Sequence, residues 1–174
     1  REATPRAQAA GRLYLTCTLA GSRYLIPTTA VREVEEVGAI TPVPATPSWL
    51  RGVMNLRGTI IAVVDLAHFL GLIGEPGSWT EALVCTAGTP GRDGDDDLLL
   101  ALAVEAVSDI RTLTQAEILP LPDQGSGEAT RYLSGFYRAP SRDGAAAELL
   151  GVLDLDTLLA ALTEDQQGAN GENY

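Results

Sequence analysis

Arg57 stands in the run Asn55-Leu56-Arg57-Gly58, with Glu33, Glu35 and Glu36 upstream as candidate partners. A guanidinium between a leucine and a glycine can take a carboxylate through two parallel N–H bonds, so this arginine is a recognition candidate. Catalytic constellations are harder to assemble. His68 is the single histidine of the chain and lies among apolar neighbours. Asp65 and Asp154 each follow an apolar run and precede a short helical turn, where a carboxylate is well placed to cap the turn. A hydrolase centred on Asp65 or His68 is therefore the enzyme reading, and capping competes with it. Cys17 and Cys85 sit inside apolar strand candidates and read as free buried thiols, without the nucleophile-elbow context of a catalytic residue. Asp93, Asp95 and Asp97 begin a calcium-loop spacing, but Leu98 and Val104 stand where that loop needs Gly and Glu. No phosphate-cradling glycine pattern occurs, so neither a cofactor nor a metal is expected.

These residues must be held by short elements. The alternation of Leu13, Leu15, Cys17 and Leu19 predicts a strand, and Ala20-Gly21-Ser22 a turn into a second strand over 23–26 that Pro27 closes. Thr28 or Thr29 caps a predicted helical segment, Ala30 to Val37, with Val31, Val34 and Val37 on one face. Pro42, Pro44 and Pro47 then keep the chain extended over the surface. Between Trp49 and Gly58 neither period is clean, which predicts a short turn. Thr59 to Leu66 follows as a strand buried on both faces, and AHFLGL gives one helical turn stopped by Gly71. Further strands are predicted over Glu81 to Thr86 and Leu98 to Val104. The loop between them, Gly88 to Asp97, has too little apolar surface to matter for folding.

The second half repeats the first. LALAVEAVSDI and ILPLP parallel YLIPTTAVREV and ITPVP, YLSGF parallels WLRGV, and LLGVLDLDTLL parallels IIAVVDLAHFL. The offset, roughly 80 to 90 residues, suits a duplicated small β module. Two similar halves of short strands punctuated by Gly and Pro predict an all-β fold of two small barrels. Residues 1–10 read as a flexible leader and 163–174 as a flexible tail. The 174 residues carry a net charge of −11, and all twelve basic residues are Arg. Such acidity argues against nucleic acid or anionic membrane as a partner. No apolar run reaches the roughly 18 to 20 residues of a membrane span, so membrane insertion is not expected and a cytoplasmic protein is.

NLRG, an apolar strand, Asp65 and a short helix ending in LGL resemble the CheW-like domain, a family of chemotaxis coupling proteins and of the regulatory domain of CheA kinases. VREV (Val31 to Val34), VEAVSDI, ILPLP, YLSGF and LLGVLDLDTLL extend the likeness over residues 11–162. The resemblance implies two five-stranded, SH3-like β-barrels around a shared core, roughly residues 11–72 and 80–162 with strands open to exchange. It implies a non-catalytic scaffold that joins a CheA-type histidine kinase to chemoreceptor cytoplasmic tips, located at receptor arrays. The regulatory domain of such a kinase is the alternative. It also implies that Arg57 pairs with Glu33 and that Val31 and Gly52 belong to a receptor-docking surface. From the residues alone, Val31 reads equally as core and Gly52 as a turn.

Overall fold

The computed structural model describes residues 10–72, 79–87, 98–122, 127–140, 144 and 146–169. The leader up to residue 9, the Gly88 to Asp97 loop with its carboxylate run, and residues 170–174 lie outside the described residues. β1 (Arg12–Leu19) turns through Ala20 and Gly21, both at positive φ, into β2 (Ser22–Pro27). A single 3-10 turn over Thr28–Ala30 then leads into β3 (Val31–Glu36), so the helix expected over Ala30 to Val37 is a strand. The physical reason is a β-bulge. Against β6 (Glu81–Ala87) the register slips between Val31 and Glu33, which puts Val31 opposite Cys85 and Val34 opposite Leu83 on one face, three residues apart. A bulged strand thereby copies helical spacing.

β4 (Leu50–Leu56) and β5 (Thr59–Asp65) form a hairpin whose turn is only Arg57 at φ 48° and Gly58 at φ 87°. The short turn expected from Trp49 to Gly58 is thus mostly strand, because two consecutive positive-φ residues suffice to reverse a twisted hairpin. Burial of β5 on both faces begins at Ile61, since Thr59 and Ile60 are exposed. Asp65 caps α1 (Leu66–Phe69), and Gly71 at φ 71° ends it, with the Leu72 N–H bonded to the Ala67 carbonyl. Then come β7 (Leu98–Val104), β8 (Ala106–Leu113), β9 (Ile118–Leu119), β10 (Leu133–Ala139), β11 (Glu148–Leu153) and α2 (Leu155–Ala169). α2 carries the chain in helix past Thr163, where the sequence predicts a flexible tail.

The fold is mostly β, in two sheets with few helices. One sheet runs β8-β1-β2-β11-β10-β9 and the other β3-β6-β7-β5-β4. Pairing is antiparallel except between β11 and β2 and between β5 and β7. Each sheet therefore joins a hairpin from one half of the chain to strands from the other. Both ladders are open, since their end strands do not pair with each other among the described residues.

Neighbouring residues on a strand go to different cores. Ile26, Val64, Leu83 and Leu153 enter a cluster shared by the two sheets, which α2 completes with Leu155, Leu158, Leu159 and Leu162. Val63 and Val84 instead join Met54, Ile61 and Ala101 inside the second sheet. Leu25 joins Tyr14, Leu150 and Val152 inside the first. The central strands are consequently apolar on both faces, as their sequences are.

Candidate functional site

Arg57 projects from the tip of the β4–β5 hairpin, at one end of the second sheet, and meets β3, the strand at the opposite end. Its Nη2 donates to Glu33, and its Nη1 donates to Glu35 Oε1 at 3.0 Å. Instead of holding one carboxylate bidentately, the guanidinium bridges two. Glu33 and Glu35 can both face it because residues i and i+2 of a strand share a side. The hydrogen bond from Arg57, more than its charge alone, holds the Glu33 carboxyl below its usual range. A cavity of about 330 Å³ lies beside the pair, with Leu56, Val84 and Leu99 among its walls.

The two other docking candidates sit differently. Val31 is half-buried and packs against the core shared by the sheets, on the other side of β3 from Glu33. Gly52 is buried at φ 140°, and a Cβ there would lie 2.2 Å from the Thr41 carbonyl oxygen. Thr41 and Val53 exchange backbone hydrogen bonds of 2.8 and 2.9 Å, so the segment after β3 crosses β4 directly over this glycine. Gly52 shapes the surface from beneath. The structure thus brings Glu33 and Arg57 together and places Val31 and Gly52 on other contacts.

The residues of the hydrolase reading are engaged in local structure. Asp65 is buried, its Oδ1 accepting the His68 backbone N–H at 3.2 Å and its Oδ2 accepting from Arg51 Nη2 at 3.1 Å. It meets His68 through the backbone, and the imidazole Nε2 lies 2.9 Å from Ser48 Oγ. Asp154 likewise caps its helix, accepting from the Thr157 N–H at 3.2 Å and the Thr157 hydroxyl at 2.8 Å. Burial pushes both Cys17 and Cys85 up to about 12, which leaves them as free, protonated thiols. Glu35 was one of three candidate partners of Arg57, but its sharing of the guanidinium with Glu33 was not expected, nor was the contact of Arg51 with Asp65. The first had a signal in the glutamate spacing. The second is hidden because a register slip between Leu50 and Gly52 re-aims Arg51.

Polar side chains that tie turns and sheet edges, over a doubly buried β scaffold, define a β domain built to present surface. The chain belongs to the CheW-like domain family, whose pattern matches residues 13–163. It is 30% identical over 152 residues to the chemotaxis protein CheW of Klebsiella aerogenes, covering 87% of this chain and 83% of that protein. With CheW of Rhizobium meliloti the identity is 29%, over 87% of this chain and 93% of the relative. Protein FrzA of Myxococcus xanthus is 31% identical over 136 residues, 77% of this chain and 76% of FrzA. In three dimensions the fold is similar to the scaffolding protein TtCheW from Thermoanaerobacter tengcongensis. That match has a TM-score of 0.62 at 23% identity and covers 82% of this chain and 88% of that one.

Proposed function

We propose that the protein is a non-catalytic chemotaxis coupling scaffold, joining a CheA-type histidine kinase to the cytoplasmic tips of chemoreceptors. The observation that carries this reading is the family match across residues 13–163, on a chain whose aspartates cap helices and whose thiols are buried. Glu33 and Arg57 are assigned to the signalling surface together with Val31, and Gly52 acts by holding the crossing segment that contributes to it. The protein works in the cytoplasm at receptor arrays. In support of that placement, among the described residues no helix is long and apolar enough to cross a membrane.

Each sheet is read as a small SH3-like barrel. Arg57 links the β4–β5 turn to β3 in one, and Arg111 of β8 stands 5.7 Å over the Tyr137 ring of β10 in the other. The first contact joins the two ends of an open ladder, the second reaches from the end strand β8 to β10, one strand short of the other end, and each sheet has an apolar cluster of its own. These features support strong curvature of both sheets.

The test is reconstitution of purified protein with a CheA-type kinase and a receptor signalling fragment. Co-sedimentation of all three, with kinase activity brought under receptor control, is the expected outcome. Kinase activity indifferent to the protein, with no ternary complex formed, would overturn the proposal.

A further inference from the structure

Among the described residues, the first half of the chain carries side-chain bonds that its duplicate lacks, and they converge on the bulge beside Gly52. Trp49 and Tyr132 are counterparts in the repeat, as are Asp65 and Asp154. In both halves the Asp N–H reaches the carbonyl of the aromatic residue, at 2.8 Å and 2.7 Å. Both also bulge at the equivalent place, between Leu50 and Gly52 and between Leu133 and Gly135. The bulged residue is Arg51 in one half and Ser134 in the other.

A bulge re-aims its extra side chain. Arg51 is directed at Asp65, whose side chain is only 6% exposed, with 3.1 Å between Nη2 and Oδ2. Through the remaining oxygen Asp65 holds the His68 backbone, and the His68 ring in turn meets Ser48. Ser134 instead donates to the Val152 carbonyl, and Asp154 turns to Thr157. Only the half that holds the proposed docking residues is reinforced in this way.

We infer that Arg51 and Asp65 are positioning residues for the docking surface. Their ion pair fixes the bulge that keeps Gly52 under Thr41 and Pro42, and so fixes the exposed Val43 carried by the same segment. The inference rests on the coupling function proposed above. Tolerance at the crossing is small, since a Cβ on Gly52 would lie 2.2 Å from the Thr41 oxygen and 2.9 Å from the Pro42 Cα. An ion pair on a nearly buried carboxylate is directional, because a misplaced guanidinium would leave the Asp65 oxygen without its partner away from water.

The experiment compares Asp65→Asn, Arg51→Gln and Arg51→Lys in the full chain, at a temperature where each variant is folded. Asp65→Asn keeps an oxygen for the His68 N–H and loses the charge. Binding to a receptor signalling fragment is expected to weaken by about tenfold in Asp65→Asn and Arg51→Gln. The Gly52 amide resonance should shift, and the Thr41 and Val53 amides should exchange faster. Arg51→Lys should recover most of the binding. Wild-type affinity in folded Arg51→Gln overturns the inference, and this variant decides alone if Asp65→Asn does not fold. Arg57→Ala separates the positioning role from the surface it serves. If Arg57→Ala weakens binding and Arg51→Gln does not, the surface stands and the positioning role falls. If neither weakens it, the assigned surface itself is wrong.

Discussion

Arg57 shows how a strongly exposed residue can be informative without being stabilising. Its side chain is 65% exposed, so water screens the pair and little folding stability rests on it. Arg57→Ala should therefore leave the denaturation midpoint nearly unchanged while impairing receptor control of the kinase. The charge swap Arg57→Glu with Glu33→Arg still leaves one cation between two carboxylates, the one introduced on the hairpin turn and that of Glu35. It should recover part of what either single change loses. Because the hydrogen bond from Arg57 lowers the Glu33 carboxyl below 4.5 in the folded state, the pair is complete above that pH and is lost as pH falls through the folded value. Carboxyl-carbon titration by NMR should return Glu33 toward 4.5 in Arg57→Ala. The buried thiols behave in the opposite sense. Unfolded cysteines titrate near 9.0 and burial pushes the native ones up to about 12, so the unfolded chain releases protons first and stability falls as pH rises above 9. Tyr24, also raised by burial, acts in the same direction. Neither thiol should react with a disulfide reagent at pH 8 until the protein is denatured, and Cys17→Ala should flatten the alkaline slope.

Among the elements, the bulges and the glycines they neighbour set the geometry. Gly135 is the counterpart of Gly52, and a Cβ there would lie 2.4 Å from the Leu119 carbonyl oxygen, where β9 pairs antiparallel with β10. Gly135→Ala should cost about 1 to 3 kcal/mol in urea unfolding, as overpacking against backbone does. Gly52→Ala should cost more, because its φ of 140° adds backbone strain to a closer contact. Replacements that leave stability unchanged would show that the contacts are looser than these distances indicate. The same bulges explain what the sequence disclosed and what it hid. Strands with unbroken alternation, such as β1, and the fully apolar β7 are legible because their periods are undisturbed. β3 is not, since its slip at Val31 and Glu33 sets two valines three apart, and β4 is obscured by the slip that frees Arg51. Asp65 and Asp154 as caps were readable from position, as was the Arg57 partner Glu33 through the family likeness. The ion pair of Arg51 depends on a bulge that no local residue pattern announces.

For the whole molecule the deciding feature is that the two sheets have no independent existence. Each contains strands from both halves, and the largest apolar cluster belongs to both sheets and to α2. α2 contributes Leu155, Leu158, Leu159 and Leu162, spaced i, i+3, i+4 and i+7, so a single helical stripe closes the shared core. Opening one sheet would expose that shared core to water, a cost no smaller part of the molecule can offset. Unfolding should accordingly be one cooperative transition. Leu158→Ala, which empties a fully buried site in α2, should destabilise by about 2 to 5 kcal/mol and move the whole transition. In a Trp49→Phe background, fluorescence of Trp79 follows the cluster inside the second sheet, while amide protection of Leu25 and Val152 follows the first. Both probes should shift to the same lower urea concentration in Leu158→Ala. If Trp79 is released at a concentration where Leu25 and Val152 remain protected, the sheets are separable units, and the shared core is a contact between them and not the centre of the fold.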